Sequence, residues 1–245
     1  MSTFVLIHGA WHGAWCWEQV RLELSRLGHR VIAPDLPGLG QDTTPLEGLT
    51  LAGWAEHVAD IIGGCDEPVV LVGHSRGGVV ISEVAERIPD RISRLVYLAA
   101  FLVPTGKTLT DMLFLDAARD VARDAMVMQP DGISSIIPAE RVAELFYNTT
   151  PPELQARAAE RLRPEPMMSF MTPLNLTVSG FGSVSRAYVE CLQDRAIPIG
   201  LQREMQRALP CAPVITLDSD HSPFYSQPAQ LAAALLQTCL AAQAA

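Results

Sequence analysis

Pro68-Val69-Val70-Leu71-Val72-Gly73-His74-Ser75-Arg76-Gly77-Gly78 decides how the rest of the chain is read. β-forming residues run from Pro68 to Val72, and the composition from Gly78 to Arg87 suits a helix, so the reading is strand, sharp turn, helix. Gly two places before and two places after Ser75 removes side chains that would collide as strand and helix close, with the Ser itself strained. The turn holds a serine hydroxyl out at the carboxyl end of a strand. A helix begins there, and its free N–H groups can hold a developing negative charge. A Gly-rich loop in an ordinary βα unit shows the same short pattern, but the apolar run before it and the helical run after it favour a nucleophile.

Upstream, Thr3–Ile7 is an apolar strand of the kind buried on both faces of a parallel sheet. It ends at His8-Gly9-Ala10-Trp11-His12-Gly13, a loop whose backbone N–H groups can approach an oxyanion, and a helix is expected over Ala14–Leu27, stopping at Gly28. His8 is assigned to structural hydrogen bonding and Trp11, Trp15 and Trp17 to packing. Gly9, His12 and Trp15 are the residues of this region placed beside a substrate pocket. His29–Ala33 is the second strand, Pro34–Gly40 a turn with Asp35 as its cap, and Thr50–Gly64 a crossover helix. Strand, helix, strand, helix is a doubly wound pattern, which defines an α/β fold with a mostly parallel sheet.

After a strand at Arg91–Phe101 the alternation stops. Six of the eight Met fall between residues 102 and 182, together with Phe114, Phe146, Phe170 and Phe181. This segment is expected to be an insertion over residues 103–182, with a small hairpin around Asp131-Gly132 and helices at Pro138–Tyr147 and Pro151–Leu162. Such a Met and Phe stripe suits a core and equally a lid over an apolar pocket. The core, residues 1–102 and 183–245, resumes with a strand at Ser185–Leu192, a helix at Ile199–Leu209, a strand at Ala212–Leu217 and a closing helix at Gln227–Ala242.

At 245 residues, 49% hydrophobic and 18% charged, the chain can bury one large core. The net charge of −9 argues against nucleic acid or an anionic membrane as partner, and a small neutral substrate suits it better. A homodimer is compatible with the sequence. The five Cys are odd in number and scattered, so neither a disulfide framework nor a zinc site is expected, and no metal or cofactor is called for. With no basic leader before the first strand and no long apolar run, the expected location is the cytoplasm.

A serine hydroxyl needs a base to take its proton, and His221 is the only His after Ser75. It lies in the loop leaving the last strand, at the same sheet edge as Ser75. Asp194, in the loop leaving the preceding strand, is the acid expected to orient it, with Asp218 and Asp220 as rivals too near His221 in sequence. The oxyanion is assigned to the backbone N–H groups of Ala10 and Arg76; the Arg76 side chain is expected to be solvated or salt-bridged.

FVLIHGAWHGAWCW at the N-terminus, GHSRGG at the turn, QDRAIP around Asp194 and DSDHSP around His221 together resemble the α/β-hydrolase branch of plant methylesterases, salicylate-binding esterases and hydroxynitrile lyases, with the bacterial esterases similar to them. The resemblance runs almost end to end and is weak in the insertion. It implies an α/β-hydrolase fold with a cap and a cofactor-free serine hydrolase of carboxylesterase type: Ser75 as nucleophile, His221 as base and then acid, Asp194 as its orienter. Members that cleave cyanohydrins carry Thr in the first loop and Lys directly after the catalytic His, where this chain has Gly9 and Ser222. Ester hydrolysis is therefore expected, with cyanohydrin cleavage and a catalytically idle ligand-binding relative as alternatives. Gly9→Thr with Ser222→Lys is expected to move the chemistry toward the lyase.

Overall fold

Phe4–Ile7 expose none of their surface, as befits an apolar strand with neighbours on both edges and helices on both faces. The computed structural model describes residues 1–115 and 124–240. Among them, β1 (Thr3–Ile7), β2 (Arg30–Ile32), β3 (Val69–His74), β4 (Ile92–Leu98), β8 (Arg186–Cys191) and β9 (Val214–Leu217) form one sheet in the order β2-β1-β3-β4-β8-β9. Every pairing in it is parallel. The register sets Ile7 beside Gly73, His74 beside Leu98, and Cys191 beside Leu217. Loops distant in sequence therefore leave the sheet along one carboxyl edge, where Ser75, Asp194 and His221 all lie.

The helix expected over Ala14–Leu27 is divided into a 3-10 turn, Ala14–Trp17, and α1 (Glu18–Arg26). Asp35 explains the first turn: its carboxylate accepts from the N–H of Ala14 at 2.6 Å and of Gln41 at 3.0 Å, tying the turn to the loop after β2. α2 (Leu51–Gly63) starts where Thr50 Oγ1 accepts from Gly53 N–H at 3.0 Å, and buries Leu51, Trp54, Ala55, Val58 and Ile62 along one stripe. α3 (Gly77–Arg87) follows Ser75 directly. β4 ends three residues before the expected Phe101, because Ala99 turns to φ 41° and leaves the ladder.

Between β4 and β8 the structure holds a separate three-stranded antiparallel sheet, β5 (Val127–Met128), β6 (Ser134–Ile136) and β7 (Glu165–Pro166), with helices at Leu109–Leu113, Ala139–Phe146, Pro152–Ala159 and Met168–Met171. The hairpin turns where expected: Asp131 accepts from the N–H groups of Ile133 and Ser134, both at 2.9 Å. β7 has no counterpart in the sequence expectation, since a two-residue strand ending in Pro carries no alternating pattern. The methionines divide, with Met112 buried and Met128 and Met171 exposed, so the stripe is neither all core nor all lining. The closing helix, Pro228–Leu240, buries Leu231 and Leu235 fully; its expected end at Ala242 lies outside the described residues. No helix among the described residues is long and apolar enough to cross a membrane.

α3 crosses the chain leaving β4 so closely that a Cβ on Gly78 would lie 2.2 Å from the Phe101 carbonyl oxygen. Gly78→Ala is expected to cost about 1–3 kcal/mol and to lower Tm by roughly 5 °C. Gly63→Ala, with no atom within 4 Å of the added Cβ, should leave Tm unchanged or raise it in the same calorimetric comparison.

Candidate active site

Ser75 has φ 53°, a left-handed conformation rare for a residue with a Cβ. The flanking glycines make the turn possible: a Cβ on Gly73 would lie 2.7 Å from the Gly77 carbonyl oxygen, and one on Gly77 would lie 2.9 Å from that of Ile7. His221 Nδ1 and Asp194 Oδ2 are 2.7 Å apart in a buried pair. A carboxylate only accepts, so Nδ1 carries the proton and Nε2 is left with a lone pair. Asp194 is held from all sides: Oδ1 accepts from the N–H groups of Ala196 and Ile197, both at 2.8 Å, and Oδ2 also accepts from Gln202 Nε2 at 3.2 Å. Gln202 is a neighbour of the pair that no sequence signal marks. Among the described residues, no hydrogen bond joins Ser75 Oγ to the His221 ring.

His74 donates from Nε2 to the His221 carbonyl at 2.7 Å, and their rings lie 4.5 Å apart. Burial, reinforced by the neighbouring His221, keeps His74 well below the usual imidazole range and therefore neutral. The rival acids are engaged elsewhere. Asp220 Oδ2 accepts from Thr149 N–H at 3.0 Å and Thr150 Oγ1 at 2.8 Å, while Oδ1 accepts from Ser222 N–H at 3.1 Å and Ser226 Oγ at 2.9 Å. Asp218 is exposed and accepts from Gln193 Nε2 at 2.8 Å.

A narrow cavity of about 20 Å³ meets Ser75. Ala10, Trp11 and Arg76 line it beside Ser75, Phe101, Ala196 and Ile197 come from the loops after β4 and β8, and Leu113, Met126, Phe146 and Phe170 come from the segment between those strands. A cavity of that size takes an ester only if its walls part. A larger cavity of about 370 Å³ lies at the opposite edge of the sheet among Thr3, Arg30, Asp66 and Arg94, far from these groups.

Four placements differ from expectation. Trp11 lines the cavity; Gly9, His12 and Trp15 are not among its lining residues. Trp11 has φ 61°, which turns it toward Ser75, and its Nε1 donates to the Ser135 carbonyl at 3.1 Å. His12 lies behind the loop, its Nδ1 donating to the Ala10 carbonyl at 2.7 Å and its Nε2 accepting from Tyr147 Oη at 2.6 Å. Burial pulls its pKa down to about 3, so it is neutral. Trp15 borders a different hollow with Asp35. Gly9 does not leave space at the site: a Cβ there would lie 2.9 Å from both Ser75 Cβ and His74 Nδ1. Ser222 is fully buried and outside the cavity lining. A Thr at position 9 would have to displace Ser75 or His74.

A strained Ser beside a His–carboxylate pair, at the carboxyl edge of a parallel sheet, defines an α/β-hydrolase. The chain belongs to that family: the alpha/beta hydrolase family model matches residues 4–234. It is 32% identical over 248 residues to methylesterase 7 of Arabidopsis thaliana, covering 96% of this chain and 95% of that protein. It is 34% identical to the putative chloroplastic methylesterase 11 of the same plant, covering 96% of this chain but only 63% of that longer protein. The crystal structure of a pyrethroid hydrolase from Sphingobium faniae JZ-2 superposes with a TM-score of 0.88 at 30% identity, over 100% of this chain and 99% of that one.

Asp194→Asn is expected to lower kcat by a factor on the order of 10²–10⁴, because the amide no longer fixes the His221 tautomer. Asp220→Asn should act on thermal stability far more than on kcat. Parallel kinetics and melting curves of the two variants check the division.

Proposed function

We propose that this chain is a serine carboxylic ester hydrolase acting on small, largely apolar esters through an acyl-enzyme. The observation that carries it is the buried His221–Asp194 pair, 2.7 Å apart, at the sheet edge that presents the strained Ser75. In the proposed sequence Ser75 Oγ attacks the ester carbonyl as His221 Nε2 takes its proton, and Asp194 balances the imidazolium. The N–H groups of Ala10 and Arg76 hold the oxyanion; neither donates to another group among the described residues. The alcohol leaves with the proton from His221, and water activated by the same imidazole releases the acid.

The apolar lining from Trp11, Phe101, Leu113, Met126, Phe146 and Phe170 supports an apolar acyl or alcohol group, and the methylesterase relatives support an ester bond as the target. Residues 103–182 serve as the cap, supplying four of these walls. The five free thiols support the cytoplasm as the working compartment. Against cyanohydrin cleavage, no ammonium faces Ser75 from the lining residues to stabilise a leaving cyanide.

Hydrolysis of a p-nitrophenyl ester is expected, with Ser75→Ala reducing it to the uncatalysed rate while the melting temperature stays close to the parent's. EDTA should leave the rate unchanged, and mandelonitrile should release little or no cyanide. Near-normal ester turnover by folded Ser75→Ala, or rapid cyanide release by the parent, would contradict this function.

A further inference from the structure

Arg76 contributes only its backbone to the chemistry above, yet its guanidinium is fully buried, where an idle charge is costly. It stacks 4.5 Å over the Trp54 ring and pairs with Glu165, equally buried: Nε to Oε1 at 2.9 Å and Nη2 to Oε2 at 3.4 Å. The same Nη2 donates to the Gly9 carbonyl at 3.1 Å. That carbonyl also accepts from His8 Nδ1 at 2.9 Å; His8 Nε2 accepts from Leu36 N–H at 3.1 Å, which leaves the ring proton on Nδ1.

The Gly9 carbonyl and the Ala10 N–H belong to one peptide, and in a trans peptide they point in opposite directions. Two donors gripping the carbonyl oxygen therefore set the aim of the Ala10 N–H. The next peptide is held at both ends: the Ala10 carbonyl accepts from His12 Nδ1 at 2.7 Å, and Trp11 N–H donates to Glu165 Oε2 at 2.9 Å. Ala10 thus sits between two fixed peptide planes. The φ of 61° at Trp11 is unfavourable for a side chain of that size, and these ties hold the loop in it.

We propose that Arg76 and Glu165 are positioning residues of the oxyanion hole, gripping the peptides on either side of Ala10 so that the Ala10 and Arg76 N–H groups stay aimed at one point. Arg76 then acts twice, its N–H as a donor and its guanidinium as the clamp on the other donor's peptide. The proposal rests on the ester-hydrolase function, and it makes β7, from the segment over the site, part of the machinery that meets the transition state.

Losing one member of the pair strands a charge in the interior, whereas losing both removes that penalty. Arg76→Met alone is expected to lower both Tm and kcat for p-nitrophenyl butyrate. Arg76→Met with Glu165→Leu should regain most of the lost Tm while kcat stays down by ~10- to 100-fold, short of the effect of deleting an oxyanion donor, with KM little changed. Inhibition by a trifluoromethyl ketone of the same acyl length, which forms a tetrahedral adduct on Ser75, should weaken by the same factor as kcat/KM, and affinity for butyrate should not. Glu165→Gln, which keeps the shape, supplies the same comparison with a smaller loss of several-fold. A double variant, or Glu165→Gln, that is folded and matches the parent in kcat and ketone affinity overturns the proposal. Absence of turnover by the parent itself overturns the ester-hydrolase function and this proposal with it; parental turnover with full recovery in the double variant overturns the proposal alone.

Discussion

One backbone residue held where L-amino acids rarely sit organises this active site. The φ of 53° at Ser75 costs about 1–2 kcal/mol relative to an ordinary conformation, and it survives because its neighbours leave no alternative. Ser75 N–H donates to the Leu98 carbonyl at 3.2 Å, and the Ser75 carbonyl accepts from Gly78 and Phe101 N–H groups, both at 3.0 Å. The strand before the turn is buried throughout, and the helix after it runs within backbone contact of β1 and of the chain leaving β4. Packing of the sheet thus supplies the strain, and the strain presents the hydroxyl.

Around that turn, each buried carboxylate accepts several hydrogen bonds. Asp194 accepts four hydrogen bonds, Asp220 accepts four, and Glu165 binds Arg76, Trp11 and Ser169. Two of these networks and one neutral pair join the segment between β4 and β8 to the sheet edge: Glu165 to Arg76, Thr149 with Thr150 to Asp220, and Tyr147 to His12. The segment is fastened at its polar points, with apolar side chains lining the cavity between them. Met126, unbranched and adaptable, is suited to yield.

The strand–turn–helix at Ser75 was legible because its chemistry is local: glycine spacing, an apolar run and a helical run all fall within twenty residues. His221 and Asp194 were legible by order and by the alternation of strands, which puts both at one edge. Trp11 and Trp15 could not be told apart from sequence. The difference is the left-handed backbone at Trp11, imposed by ties to Glu165 and Ser135 more than a hundred positions away. Glu165 sits between two prolines and reads as a surface charge. Its burial depends on Arg76, 89 positions distant, and no periodicity records that pairing. The packing of Gly9 against His74 and Ser75, which leaves no room for a Cβ, is likewise a contact between distant segments that no local signal records.

The most direct measurement of an acyl-enzyme on Ser75 is intact-protein mass spectrometry of the parent chain, quenched in acid within the first turnovers of p-nitrophenyl butyrate, followed by peptide mapping. A mass increase of one butyryl group, located on Ser75 and vanishing as substrate is exhausted, is the expected result. Ester turnover with no acyl adduct at any quench time, or an adduct on a residue other than Ser75, would contradict it.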